Sequence, residues 1–223
     1  VRTLTEIESK EMLSQQGCEV PLSRLVSAEE ISAAAEEIGF PLVLKAVADE
    51  ISHKTEHGGV AVNLKNIPEV IEAAAGMSGI AEYFIVEEMI SDRVAELILG
   101  VLVDSQFGPT LTLGAGGIFT ELLRDSVSLL FPISELHIRQ AIEKLRINAL
   151  LKGWRGNPEG DTEALVEAVL KLAEFVERHS ERLAGCDINP LIVRPRGKGV
   201  IVVDALINLR CSVLLKAATE KLK

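Results

Sequence analysis

The chain has 223 residues, 48% of them hydrophobic, and a formal net charge of −10, enough to bury a core in one large domain or two small ones. The acidic balance disfavours nonspecific binding to nucleic acid or anionic membrane, although a local positive pocket can still hold a small anion. Three cysteines without CxxC spacing (Cys18, Cys186, Cys211), no apolar run near the ~20 residues of a membrane span and no leader-like N-terminus argue against disulfides, zinc, membrane insertion and secretion, so a reduced, cytoplasmic protein is expected.

In chain order, Thr5-x-x-Glu8 and Ser27-x-x-Glu30 are capping boxes, and Gly17 and Gly39 stand where helix-terminating glycines belong, so two helices of about a dozen residues are predicted. Strands are predicted at 19–25, 41–46, 59–64 and 83–88, with a helix at 68–75. A second sheet, antiparallel because its connections are short, is predicted from 97–103, 110–113 and 127–131. Helices follow at 134–147 and 161–179, the latter with Leu165, Val169, Leu172 and Val176 on one face. The loop between them, Lys152 to Gly160, contains Trp154, read as a packing anchor. The runs 186–193 and 200–206 read as a β-hairpin. A four-residue loop from Pro195 to Lys198 sets Arg194 opposite Gly199 and, counting back, Asn189 opposite Asp204.

Several residues in this frame suit phosphate chemistry. Lys45 ends the apolar strand Phe40-Pro41-Leu42-Val43-Leu44, and a buried ammonium requires a compensating anion, for which a phosphate would serve. Gly58 and Gly59 open the next strand, where the absence of Cβ atoms lets backbone N–H groups approach a phosphate. Asp187 and Asn189 share a strand face, and the inferred register adds Asp204, giving an oxygen-rich patch of the kind Mg²⁺ uses alongside water and substrate phosphates. His53 lies beside Lys54 and is a candidate phosphoryl acceptor through a neutral ring nitrogen. Glu87, Glu88 and Glu96 are strand-end carboxylates that suit ribose or adenine contacts, and Gly116-Gly117 lies in a loop able to present N–H groups to an anion. Each also has a bland reading as a solvated strand end, a turn or a surface histidine.

The order Phe40-Pro41-Leu42-Val43-Leu44-Lys45, His53-Lys54-Thr55 with Gly58-Gly59-Val60, Glu96-Leu97-Ile98-Leu99-Gly100-Val101, Gln106-Phe107-Gly108-Pro109, Gly116-Gly117-Ile118-Phe119 and Asp187-Ile188-Asn189-Pro190-Leu191 strongly resembles the ATP-grasp domain of nucleoside-diphosphate-forming acyl-CoA synthetases. More distantly, it is similar to the succinyl-CoA synthetase β subunit. The resemblance implies an α+β ATP-grasp fold of two α/β lobes with the nucleotide site between them: 1–92 as the small lobe with an N-terminal helix, and 93–223 as the large lobe with a metal-binding hairpin. It implies ATP/ADP and Mg²⁺ as cofactors. Lys45, Gly58 and Gly59 would then contact phosphates, with Glu87, Glu88 and Met89 at the adenine and ribose hinge. Glu96 would contact nucleotide, Gly116 and Gly117 would lie near the transfer site, and Asn189 and Asp204 would be the metal ligands. His53 would carry a phosphoryl group and Asp187 would stand near an incoming phosphohistidine loop. Partners would be CoA-binding and phosphohistidine-bearing domains on the same polypeptide or an α-type subunit, bringing the acyl-CoA or carboxylate substrate.

Two departures from the family pattern stand out. Ser128-Leu129 replaces an aromatic-arginine pair, removing a charge that would help transfer, and Ile90 to Ala95 replaces a glycine pair. Leu129 supports an alternative in which the chain is a degenerate nucleotide-sensing module of a larger regulatory protein, such as a protein acyltransferase fusion. A purely structural interaction domain leaves the co-occurrence of Lys45, His53, Asn189 and Asp204 unexplained.

Overall fold

A computed structural model describes residues 1–47, 59–77, 79, 81–104, 106–117 and 125–210. The chain divides into two compact units, one built from Pro21–Ser91 and the other from Val1–Val20 with the residues from Asp92 onward.

In the smaller unit, strands β2 (Ser23–Ser27), β3 (Leu42–Val47), β4 (Val60–Leu64) and β5 (Tyr83–Glu88) form an antiparallel sheet in the order β2-β5-β3-β4. Helices α2 (Ile31–Ile38) and α3 (Ile67–Met77) supply Ile31, Ala34, Ala35, Val70 and Met77 to a core with Leu42, Leu44, Ala46, Phe84 and Val86 from the sheet. Because strand side chains alternate, Val43, Lys45, Ile85 and Glu87 share the other face, and they too are buried. The predicted strand 19–25 is shifted, since β2 begins only at Ser23. Pro21 has no N–H for a ladder, and the Glu19 carbonyl accepts from Val202 N–H in the larger unit.

In the larger unit, β1 (Arg2–Thr3), β6 (Ala95–Asp104), β7 (Gly108–Ala115), β8 (Ser126–Leu130), β9 (Leu183–Val193), β10 (Val200–Val202) and β11 (Ala205–Leu209) form one antiparallel sheet. Its order is β1-β11-β9-β6-β7-β8, with β10 continuing the partner of β9. Helices α1 (Glu6–Gln15), α4 (Glu135–Lys144), the short α5 (Asn148–Leu151) and α6 (Thr162–Arg178) accompany the sheet. Their core residues join those of the sheet in one cluster, to which Leu165, Val169, Leu172 and Val176 contribute as predicted, each fully buried. The predicted helix 134–147 is split: Leu145 is extended, and the buried Asp125 carboxylate accepts from the N–H groups of Arg146 (2.8 Å) and Ile147 (2.9 Å). The cysteines behave as apolar filler. Cys18 and Cys186 are buried free thiols, and desolvation pushes the Cys186 thiol up to about 12; Cys211 lies outside the described residues.

The chain passes from the smaller unit to the larger between Ser91 and Asp92, and the N-terminal helix lies in the larger unit. β1 pairs with β11, and Ser9 Oγ accepts from Ile207 N–H at 3.1 Å, so residues 1–20 are built into the larger sheet's core. Trp154 differs from expectation. It is 52% exposed, with the Arg155 guanidinium 5.6 Å from its ring centre, a cation–π arrangement outside the core.

Candidate nucleotide and metal site

In the smaller unit, Val43 pairs with Glu87 across β3 and β5, so Lys45, two residues along, shares a face with Glu87 as its diagonal neighbour. Lys45 Nζ lies 2.9 Å from Glu87 Oε1, with side chains 6% and 0% exposed. The anion that compensates the buried lysine is therefore a protein carboxylate, so burial of Lys45 does not by itself require a phosphate. The same pairing engages Glu87, expected at the adenine hinge, with Lys45. Gly59 is adjacent: its carbonyl accepts from Ala46 N–H at 2.8 Å, and Lys45 pairs with Val60. At the end of β5, Glu88 is exposed; its N–H donates to the Leu22 carbonyl and its carboxylate accepts from Leu22 N–H, while Met89 N–H donates to the Pro41 carbonyl. His53 and Gly58 lie outside the described residues.

The larger unit brings the other candidates onto the sheet face opposite its helices. Arg194 N–H donates to the Gly199 carbonyl, Val200 pairs with Val193, and Asn189 N–H donates to the Asp204 carbonyl at 3.1 Å. The hairpin register read from the loop is thus the observed one, and it continues through Asp187 opposite Leu206. There is also a local irregularity that the alternation rule does not contain. Ile188 and Leu191 both pack inward, as do Val202 and Ala205 on the partner strand, so Asn189-Pro190 and Val203-Asp204 form a matched two-residue step in the hairpin. Opposite it, β6 shifts register between Leu97 and Leu99. Such bulges re-aim side chains; here Asn189 is exposed and Asp204 half-buried.

Across the same face, Asp187 pairs with Gly100, Gly100 with Thr112, and Thr112 with Ser128, whose hydroxyls lie 3.2 Å apart. Asp187, Gly100 and Thr112 line an open groove of about 700 Å³ that also reaches Leu102, Thr110, Gly185 and Asn208. Desolvation by the surrounding sheet raises the Asp187 carboxyl above the ordinary aspartate range.

Gly116 and Gly117 lie against Glu96. Gly116 N–H donates to the Glu96 carbonyl at 2.8 Å, and a Cβ on Gly117, whose φ is +65°, would stand 2.5 Å from Glu96 Oε2. Glu96 is also paired with Arg93 at 2.7 Å. Arg93 precedes Glu96 in non-helical chain, where a three-residue spacing does not by itself signal an ion pair. The same segment, before Glu96, also supplies Asp92, which makes a bidentate pair with Arg194 at 2.8 and 2.8 Å. The hydrogen bonds from Arg194 hold the Asp92 carboxyl below its usual range.

Asp161, likewise unsignalled, fixes the hairpin loop. Its carboxylate accepts from Ala164 N–H at the start of α6 and from Gly197 and Gly199 N–H, at 3.2, 2.8 and 2.9 Å. Burial opposes its ionisation, but these hydrogen bonds prevail and the pKa lies below the ordinary value.

The Leu129 departure has a structural reading that removes its weight. Leu129 pairs with Leu111 and packs on the core side, whereas Ser126 and Ser128 lie on the exposed face with Asp187. A side chain at 129 is therefore not on the face that carries the candidate ligands.

Among the described residues no group of three or more His, Cys, Asp or Glu side chains converges as a metal site. The amide and carboxylate oxygens of Asn189 and Asp204 do suit a hard cation that takes its remaining ligands from water and phosphate.

A family model described as an ATP-grasp domain matches residues 1–209. The chain is 34% identical over 217 residues to subunit beta of acetate–CoA ligase (ADP-forming) II of Pyrococcus furiosus, covering 93% of this chain and 92% of that one. It is also 34% identical to 4-hydroxybutyrate–CoA ligase (ADP-forming) of Nitrosopumilus maritimus, covering 92% of this chain but 31% of the longer protein. Among solved structures, acetyl-coenzyme A synthetase 1 of Ca. Korarchaeum cryptofilum, in complex with coenzyme A and Ca-AMPCP, superposes with a TM-score of 0.85 at 38% identity, covering 94% of each chain. In another structure of that protein, bound to coenzyme A and Mg-AMPPCP, the phosphohistidine segment points towards the nucleotide site (TM-score 0.81). The chain belongs to the ATP-grasp domain family, in the group that includes the β subunits of ADP-forming acetate–CoA ligases.

Proposed function

We propose that this chain is the nucleotide-binding, phosphoryl-transferring part of an ADP-forming acyl-CoA synthetase, interconverting acyl-CoA, ADP and phosphate with carboxylic acid, ATP and CoA. The observation that carries the proposal is the matched step in the hairpin, which sets Asn189 beside Asp204 on the exposed face that also carries Glu96 and Asp187. Asn189 and Asp204 hold Mg²⁺, which supplies charge neutralisation at the nucleotide phosphates. Lys45, Gly58 and Gly59 contact the phosphates. Glu96 is held by Arg93 and Gly116-Gly117 for nucleotide contact, and Glu88 and Met89 lie at the base and ribose. Glu87 orients Lys45 within its buried strand pair.

His53 takes the phosphoryl group in transit, and Asp187 stands where a phosphohistidine segment from a partner domain approaches. CoA-binding and acyl-selecting domains come from the same polypeptide or an α-type subunit. The chain spans nearly all of the two-subunit enzymes' β chains but about a third of the single-chain relatives. The reading gives a cytoplasmic enzyme; no described helix is long and apolar enough to cross a membrane.

Calorimetric titration with Mg-ATP tests the assignment. Binding by the wild-type chain that weakens at least tenfold in Asn189→Ala/Asp204→Ala is expected, and absence of wild-type binding would overturn it. Reconstitution with CoA-binding domains and labelled phosphate then tests His53: acid-labile label lost in His53→Asn supports the relay, whereas tight ATP binding without label supports a sensor.

A further inference from the structure

Helix α1 carries a polar cluster where an apolar face is ordinary. Glu6, Ser9 and Lys10 are 7%, 0% and 3% exposed. Lys10 Nζ lies 3.0 Å from Glu6 Oε1, in an i,i+4 ion pair whose side chains are almost wholly buried, and the same ammonium donates to the Val203 carbonyl at 3.2 Å. Ser9 Oγ accepts from Ile207 N–H on β11. A buried ion pair is costly to desolvate, and apolar residues of similar size often serve stability as well or better. Its value here lies in where it points. Val203 is half of the step that interrupts β10 and β11, the residue before Asp204, and its own N–H donates to the Pro190 carbonyl beside Asn189.

We infer that the Glu6–Lys10 pair is a positioning device for the candidate metal site: Lys10 fixes the Val203 carbonyl, and with it the backbone step that turns Asp204 beside Asn189. Within the step the Asp204 and Pro190 carbonyls accept from Asn189 and Val203 N–H across the hairpin, while the Val203 carbonyl accepts from Lys10. α1 thus provides a charged donor, oriented by Glu6 and protected from water. The inference rests on the assignment of Asn189 and Asp204 as cation ligands and assigns neither Lys10 nor Glu6 a contact with the cation.

The test compares wild type, Asp204→Ala and Glu6→Leu/Lys10→Met, reading the thermal midpoint, ATP affinity without divalent metal, and the Mn²⁺ concentration needed for half-maximal nucleotide binding, with bound Mn²⁺ followed by electron paramagnetic resonance. The double variant is expected to fold with a midpoint near wild type and to keep metal-free ATP affinity. Its Mn²⁺ requirement should rise at least fivefold, in the direction of Asp204→Ala. A folded double variant with the wild-type Mn²⁺ requirement would overturn the inference. If the apolar pair does not fold, Glu6→Gln/Lys10→Gln, which stays polar but is too short to span to Val203, is read by the same criteria. An Asp204→Ala protein with an unchanged Mn²⁺ requirement would remove Asp204 as a ligand, and this inference with it, a result distinct from failure of the Lys10 variants alone.

Discussion

Lys45 Nζ and Glu87 Oε1 lie 2.9 Å apart on one face of the smaller sheet, both buried. This changes how loss of Lys45 must be interpreted. Removing the lysine alone takes the ion pair from a buried carboxylate, which costs about 3–5 kcal/mol, so weaker ligand binding by Lys45→Ala does not by itself place Lys45 at the phosphates. Lys45→Met/Glu87→Leu removes both charges and is expected to stay within about 1–2 kcal/mol of wild type in urea unfolding while binding Mg-ATP at least tenfold more weakly. A folded double variant with wild-type affinity would exclude Lys45 from the phosphate site.

The two glycines beside Glu96 should differ in cost. A Cβ on Gly116 would lie 3.0 Å from the backbone carbons of Glu96 and Leu97, which cannot yield without moving β6. On Gly117 it would meet only the mobile end of the Glu96 side chain, although a φ of +65° adds about 1 kcal/mol of strain. Gly116→Ala is therefore expected to lower the thermal midpoint more than Gly117→Ala, and Gly117→Ala to displace the Glu96 carboxylate. The reverse order in a melting series contradicts this geometry.

Asp161 should make the fold acid-sensitive. Its folded pKa lies below the ordinary 3.8, so the unfolded chain takes up the proton more readily and the stabilisation is present above that value and lost as pH falls through the folded one. Asp161→Asn is expected to cost about 1–3 kcal/mol at neutral pH and to flatten the decline of the urea midpoint below about pH 4. Parallel acid limbs for the two proteins would show that the carboxylate charge does not hold the hairpin loop.

The sheet faces at 128 and 129 give a paired test. Leu129→Arg puts a charge among the core contacts of Leu111 and is expected to destabilise by about 1–2 kcal/mol. Ser128→Arg lies on the exposed face and should be tolerated within about 0.5 kcal/mol. If Leu129→Arg is silent while Ser128→Arg unfolds the protein, the facing of β8 is wrong.

Much of the fold was legible because local rules and tertiary packing agree. The capping boxes at Thr5 and Ser27, the buried stripe of α6 and the hairpin count from Pro195 to Lys198 all rest on short-range chemistry, and the structure keeps each one. What was not legible depends on partners distant in sequence. Lys45 presents itself as a lone buried cation until β5 pairs beside β3 and supplies Glu87, 42 residues away. Glu6 and Lys10 have the spacing of an ordinary surface ion pair on a helix, and only the packing of α1 against β11 buries them. The matched step at Asn189-Pro190 and Val203-Asp204 breaks the alternation on both strands together, so a count back from the loop keeps the register and does not reveal it.

The attachment of residues 1–20 to the larger sheet has a consequence for how the molecule can be taken apart. The chain leaves that unit after Val20 and returns at Asp92. Both exits are pinned to the same hairpin, through the Glu19 carbonyl on Val202, and through Val94 N–H on Val193 and Asp92 on Arg194. The segment 21–91 is thus an inserted domain in the architectural sense, carried by a host whose cut ends both attach to one hairpin. A short glycine-rich bridge from residue 20 to residue 92 should leave a host that folds around its own sheet, and the guest should be transplantable as a unit.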